Sequence, residues 1–353
     1  MSARSKLANV LGGLGVVDAA LALRTRAGLP WLTTLCYHRT ADLPPTEELD
    51  GGIVDASPAQ FEQQVAFLAE HFSFVGPGEV ADFFHRGKAL PKNPVLITFD
   101  DGYKECHTVT LPILSRYGAK ATFFIPTQFV TERKMFWWDR FAWVLKRAKP
   151  GRFRLSYPHA IELDVSSTAA LHRSHKTLTD LVKKRRGLDL ARLHESLQEA
   201  ARVELAADDE LRMIDRVLMT WSDIEALVAA GMDIGSHSHS HRVLQTLEIR
   251  EYDAELVGSR RELEERLNIA VNSIAYPVGY PLNGERDLRQ AVRDSGYEVG
   301  FSCRAGVLPY AGTPYRKPDP LDVPRILLDI SYDLQQFMAM TSVPFLAPRS
   351  SVA

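Results

Sequence analysis

Residues 95–125 leave this chain little choice of architecture. The run 95–99 is apolar and β-branched and reads as a buried strand. A helical stretch at about 107–117 follows and is closed by Gly118, and 121–125 is a second apolar run. Strand, helix and strand within roughly 30 residues is the βαβ unit of a parallel sheet. The alternation continues along the chain. Strands are expected at 31–37, 232–236, 273–276, 298–303 and 323–329. Between them, Ser57 and Pro58 open a helix as N-cap and first helical residue, with Phe61, Val65 and Leu68 at helical spacing. Further helices are expected at 78–86, 220–231, 252–267 and 285–295. In parallel α/β folds the chemistry collects at the C-terminal ends of strands, and every polar cluster of interest here falls at such an end.

The longest departure from this alternation is 131–218, which carries charged helical pattern and starts with Phe136-Trp137-Trp138-Asp139-Arg140. It reads as a helical insertion within one domain spanning 31–345, preceded by an N-terminal helical segment, 1–30. In that segment residues 7–23 are apolar and follow Arg4 and Lys6, but Asp18 interrupts them. The stretch is too short and too charged for a membrane span, and an amphipathic helix resting on a membrane surface is the reading kept. With 45% hydrophobic and 24% charged residues the chain is of ordinary globular type, and a net charge of −2 gives no electrostatic case for nucleic acid. The basic run Lys183-Lys184-Arg185-Arg186 reads as a solvated helix face. The three cysteines, Cys36, Cys106 and Cys303, are far apart and lack metal-type spacing. No disulfide framework is expected, which points to a reducing compartment.

The strand 95–99 stops at Asp100-Asp101-Gly102-Tyr103. Asp-Gly is a common turn dipeptide, so a plain surface turn is one reading. The other is a site: two adjacent carboxylates repel, and a cation or a shared proton relieves the repulsion. A second cluster bears on the choice. His237, His239 and His241 alternate after the expected strand 232–236. Imidazole is a common ligand for zinc and neighbouring divalent metals. One aspartate with two histidines makes a three-ligand site with positions open for water and substrate, and leaves the other aspartate free as a base.

Together these motifs resemble the polysaccharide deacetylase family (the NodB-homology domain, carbohydrate esterase family 4). Both the 98–103 motif and the His-Ser-x-x-His motif at 237–241 match fully, and the resemblance runs from about residue 33 to 329. It implies an irregular (β/α)7-type barrel of the glycoside hydrolase/deacetylase kind. It implies Asp101, His237 and His241 as ligands of a divalent metal, zinc first, with cobalt, nickel or iron as options. It implies Asp100 as general base, a Tyr103 backbone N–H that helps hold the oxyanion, and no metal contact for His239.

The family's late Leu-x-His motif, which carries the acid, is absent: no histidine follows His241. His38 ends the first expected strand instead. This resembles the circularly permuted branch, which includes poly-N-acetylglucosamine deacetylases, and it implies His38 as the acid. Ala275 stands where the family places the arginine that holds the base. Arg325 or Arg140 is left to supply that charge. Tyr276 and Pro277 are expected to line a groove wall, and Trp138, with Trp137 and Asp139, to offer a sugar-stacking platform. The implied activity is metal-dependent removal of N-acetyl groups from sugars of a polysaccharide or of its lipid-linked or nucleotide-linked precursor. The alternatives are a hydrolase of O-acetyl or formyl groups and a non-catalytic glycan binder. The partner is then an N-acetylated glycan. The location expected is cytoplasmic and membrane-associated, with an exported form as the other option. The sequence carries no reading of oligomeric state.

Overall fold

The structure, a computed structural model, describes residues 31–309 and 318–343, with isolated positions 15, 19, 22, 24 and 26. The expected N-terminal amphipathic helix therefore lies largely outside the described residues. Its one informative position is Arg24, whose buried guanidinium donates to Thr341 O at 2.8 Å and to Trp31 O at 3.3 Å. Among the described residues no helix is long and apolar enough to cross a membrane.

The frame is a curled, mainly parallel sheet. Strands β1 (Trp31–Tyr37), β5 (Pro94–Phe99), β6 (Ala121–Ile125), β9 (Asp233–Ser236), β10 (Ser273–Ala275) and β11 (Val299–Phe301) are successive parallel neighbours. Short strands complete the numbering: β2 (Arg39–Thr40), β3 (Val54–Ala56), β4 (Ser73–Phe74), the hairpin β7 (Arg152–Leu155) and β8 (Ile161–Asp164), β12 (Leu308–Pro309) and β13 (Ile326–Leu327). The curl is closed by the last of these. β13 pairs in parallel with β1, while Val323, just before it, bridges in parallel to Phe301 of β11. This is the irregular seven-stranded barrel that the sequence led us to expect. The expected last strand, 323–329, is shorter than its apolar pattern suggests. Pro324 has no N–H for a ladder, and Arg325 turns its side chain into the barrel.

The strands read as continuous apolar runs because helices cover the sheet's outer face and side chains fill its interior. All six residues of β5 are buried. Within the barrel Tyr37, Phe99 and Phe123 are level on adjacent strands, and the rings stack: Tyr37 on Phe99 at 5.1 Å and Phe99 on Phe123 at 5.2 Å. Phe61 meets the first two edge-on, from helix α1 (Pro58–His71), which Ser57 caps by accepting the Gln60 N–H.

Helices α2 (Pro77–Arg86), α3 (Leu111–Arg116) and α4 (Thr127–Glu132) follow. The expected helix 107–117 opens with a π turn, Cys106–Thr110, next to Pro112, which has no N–H to give. The insertion holds α5 (Trp137–Arg147), the β7–β8 hairpin, α6 (Thr168–Lys184), α7 (Leu190–Ala201) and α8 (Ala207–Val217). Its buried side chains join those of the barrel in one continuous core, with Leu178 and Leu193 in the same cluster as Phe99. After it come α9 (Trp221–Ala229), α10 (Ser259–Leu267), α11 (Arg286–Asp294) and α12 (Leu334–Ser342). The π turn Ala254–Gly258 leads into α10.

Candidate active site

Parallel register builds the site. Tyr37 is opposite Phe99, and Ile125 is opposite Ser236. The residues just beyond these strand ends, His38, Asp100 and His237, therefore meet at one rim. Asp100 continues the ladder by donating its N–H to Tyr37 O at 2.9 Å. The chain then turns sharply, with Asp101 at φ +73° and Gly102 at φ +75°. Aspartate tolerates this left-handed conformation better than most residues, and the turn sends the two carboxylates in different directions.

Asp101 faces the histidines. Its Oδ1 lies 3.1 Å from His241 Nε2 and 3.4 Å from His237 Nε2. All three side chains are buried, and the ligand atoms lie within 4.8 Å of one another. His237 Nδ1 sits 2.8 Å from Ala275 O, which leaves its Nε2 turned towards Asp101. Asp101 Oδ1 is buried without a hydrogen-bond partner. A buried carboxylate oxygen with two imidazole nitrogens around it and nothing donating to it is a donor set that fits a divalent cation. Burial would raise the Asp101 pKa, but His241 and His237 hold the carboxyl well below its usual range.

The loop 237–241 is held from below. Ser238 has φ +62° and His241 φ +52°. Glu255, buried beneath the loop, accepts the N–H groups of His239 and Ser240 at 3.0 and 2.9 Å and the Ser240 hydroxyl. Ser238 Oγ accepts the His241 N–H at 3.2 Å. His239 turns away to Thr127 Oγ1 at 2.9 Å, on the far side from Asp101. Glu255 was not singled out in the sequence. It sits in a charged helical stretch, and only its burial reveals the task.

Asp100 faces a different partner. Arg325, fully buried, donates through Nη1 to Oδ1 at 2.7 Å and through Nη2 to Oδ2 at 2.8 Å. This fork is the charge that Ala275 cannot provide. Of the two arginines left open, Arg140 is engaged elsewhere, with Glu210. Burial pushes the Asp100 pKa up, but Arg325 and then His237 outweigh it and the carboxyl is held below its ordinary value. Two thiols complete the floor: Cys36 Sγ is 3.6 Å from Asp100 Oδ2, and Arg325 Nη2 is 3.4 Å from Cys303 Sγ.

His38 stands on the opposite side. β2 pairs with β3, so the 41–55 loop returns beside the first strand and brings Asp55 to His38. Asp55 Oδ2 lies 3.1 Å from His38 Nδ1 and also accepts the His38 backbone N–H. Burial disfavours the imidazolium, but Asp55 more than compensates, and the His38 pKa rises to about 10. Nε2 is the nitrogen left for chemistry, and His38 and Asp100 are within 4.8 Å of one another at their ligand atoms. No sequence pattern points to Asp55. Its pairing depends on a two-residue strand that has no periodic signal.

The expected substrate-binding residues separate. Tyr103 is fully buried; its pairing with Leu218 runs through Gly102 O and Lys104 N, which leaves its own N–H outside that ladder. Trp138 lines the cavity but is no open platform. Its ring stacks on Phe136 at 4.5 Å and tilts against His241 at 4.7 Å, and Nε1 donates to Tyr103 Oη at 2.9 Å. It buttresses a candidate ligand. Asp139 accepts the Asp50 N–H at 2.9 Å and so pins the 41–55 loop. Tyr276 and Pro277 do not line the groove. Both are buried, and Tyr276 passes over Gly300, where no Cβ would fit, to donate to Leu321 O at 2.9 Å. The wall is made one turn later, by Val278, Gly279 and Tyr280. The cavity over the site measures about 800 Å³ and is bounded by the 50–55 loop, α6 and the 278–280 turn.

Barrel and rim together define an α/β scaffold with a buried aspartate–histidine site at the C-terminal ends of its parallel strands. The polysaccharide deacetylase family model matches residues 87–300, and the chain belongs to that family. Two curated relatives match a shorter stretch. The poly-beta-1,6-N-acetyl-D-glucosamine N-deacetylase of Escherichia coli (strain K12) is 28% identical over 93 residues, 25% of this chain and 13% of that protein. YxkH of Bacillus subtilis (strain 168) is 30% identical over 95 residues, 27% of this chain and 31% of that protein. The match thus spans less than a third of either relative. Among solved structures, the Streptococcus pyogenes deacetylase PplD in complex with acetate superposes with a TM-score of 0.57 at 18% identity, over 90% of this chain and 100% of that one. IcaB from Ammonifex degensii gives 0.52 at 18%, over 89% and 97%. At such identities the likeness is one of fold.

Proposed function

We propose that this protein removes N-acetyl groups from an N-acetylated glycan by metal-assisted hydrolysis. The observation that carries the reading is the division of the aspartate pair: Asp100 in the fork of Arg325, Asp101 open to His237 and His241. Asp101, His237 and His241 would hold a divalent cation, and two imidazoles with one carboxylate suit zinc. Such a cation, when bound, polarises the acyl carbonyl and makes water more acidic. Asp100 accepts the proton of the attacking water. Arg325 fixes the orientation of that carboxylate and keeps it ionised. His38 Nε2 gives a proton to the departing sugar amine, and Asp55 holds His38 in its charged form until then. The Tyr103 N–H is the chain's own donor offered to the oxyanion. The name of the Escherichia coli relative and the acetate in the PplD structure support acetyl as the acyl group.

The test is metal analysis of the purified protein coupled to acetate release from N-acetylated oligosaccharides. Bound metal near one per chain, with acetate release lost on chelation and restored by zinc or cobalt, is expected. Release of formate in place of acetate, or release only from O-linked donors, replaces this reading with one of a different acyl hydrolase. Glycan binding with no release of any acid makes the protein a binder.

A further inference from the structure

The far wall of the cavity is built by the insertion. Helix α6 turns Lys176, Thr179, Lys183 and Lys184 towards it, across from Tyr280. Positions 176, 179 and 183 share one helix face. The basic run that reads in the sequence as a solvated face is thus divided, with Lys183 and Lys184 on the cavity and Arg185 and Arg186 exposed beyond it.

The lysines of this wall are unequal. Asp180 lies 2.7 Å from Lys176 Nζ and 3.6 Å from Lys184 Nζ, so two ammonium groups share one carboxylate. Lys183 is half-buried, and among the described residues it makes no ion pair. Burial lowers its pKa, against weaker opposing pulls from Asp180 and Asp50, neither of which reaches its ammonium as an ion pair. The cavity's other carboxylates away from the metal centre have work of their own. Asp55 holds His38, Asp50 Oδ1 accepts the Gly52 N–H at 2.9 Å, and Asp329 Oδ1 accepts the Ser331 N–H at 2.8 Å. An ammonium kept partly from water without a counter-ion is unfavourable. Since Lys183 faces an open cavity, its missing partner is one that a ligand can bring.

We propose that this wall is an anionic subsite: the substrate carries a phosphate or carboxylate group beside its N-acyl sugar, and Lys183, flanked by Lys176 and Lys184, receives it. The proposal rests on the reading that the reacting sugar sits over Asp100 and Asp101. The cavity is large enough for both parts, near the upper end of the about 300–1,000 Å³ usual for ligand sites. A neutral glycan would leave Lys183 without a partner.

The experiment compares kcat/KM for three donors that share one N-acetylated sugar: a neutral disaccharide, the same disaccharide with a phosphate at its reducing end, and one whose second sugar is a uronic acid. One anionic donor should be favoured over the neutral one by about tenfold or more, the scale of a hydrogen bond to a charged group. Lys183→Gln should abolish that ratio and Lys183→Arg should keep it, and added salt should shrink it. Preference for the phosphate or for the carboxylate identifies the source of the charge. Equal use of all three donors, or a ratio unchanged in Lys183→Gln, overturns the proposal. Calorimetric binding of glucosamine 1-phosphate, glucuronate and glucosamine to the metal-loaded protein is measured alongside. Anion-selective binding that Lys183→Gln removes, without hydrolysis of any donor, keeps the subsite and sinks the deacetylase reading. Hydrolysis of the neutral donor with no anion preference sinks the subsite alone.

Discussion

Asp100 and Asp101 are neighbours in sequence with opposite surroundings, and this separates the effects of their replacement. Asp101→Asn or His237→Ala should lose bound metal and activity together, read by metal content and acetate release on the same sample. Asp100→Asn should keep its metal and lose at least about 10²-fold in kcat, the scale of general-base catalysis; an active Asp100→Asn would move the base elsewhere. His38 makes a pH prediction. Its pKa is raised from 6.5 to about 10, chiefly because Asp55 offsets the effect of burial. A raised histidine pKa stabilises the fold fully below 6.5, and the contribution is lost as pH rises through about 10. In its proposed role as proton donor, His38 would set the alkaline limb of kcat/KM. Asp55→Asn should therefore move that limb to lower pH, and a limb that stays in place would remove His38 from the acid's role. The motif residues were legible because their chemistry is local, two carboxylates or two imidazoles a few positions apart. Asp55 was not, and Arg325 stood only as one of two candidates beside Arg140, since each acts through a contact between distant parts of the chain that no spacing encodes.

At the scale of elements, the strands were readable because a buried parallel strand must be apolar throughout, as the pattern at 94–99 shows. The loops that carry the chemistry were harder, because their shape depends on positive φ angles and on buried polar supports. Tyr276 shows the error this causes. Its place after a strand suggested a groove wall, yet the room above Gly300 lets it turn inward. Glu255 shows what was unseen. Three hydrogen bonds from the 239–240 segment end on it, so Glu255→Ala should loosen the histidine loop and weaken metal affinity by about 10–100-fold. Metal-buffered titration checks this, with retained far-UV circular dichroism as the control for folding. Unchanged affinity would mean that the loop holds its own shape.

For the whole molecule, the site is wider than the segment that identifies the family. His38, Asp55 and Arg325 all lie outside the matched residues 87–300. So does β1, which pairs with β5, β12 and β13. A fragment cut at 87 and 300 should fail to unfold cooperatively in urea, because β5 would lose its β1 neighbour along 95–99 and Phe99 one of its two stacked rings. Within the full chain, Arg325→Met leaves Asp100 buried without its counter-charge. Breaking such a pair costs about 3–5 kcal/mol, which denaturant unfolding should register as a lower midpoint.

The segment that closes the barrel also sets an order in time. Synthesis runs from the N-terminus, so the aspartate pair and both histidines leave the ribosome well before Arg325 does. Until that last strand docks between Phe301 and Leu35, Asp100 has no guanidinium to orient it and the barrel interior stands open at one seam. A nascent chain can thus bring out Asp101, His237 and His241 before Asp100 has its counter-charge. On the proposed mechanism the base is oriented only once a late-synthesised segment has docked, although Asp100 itself lies in the first third of the chain.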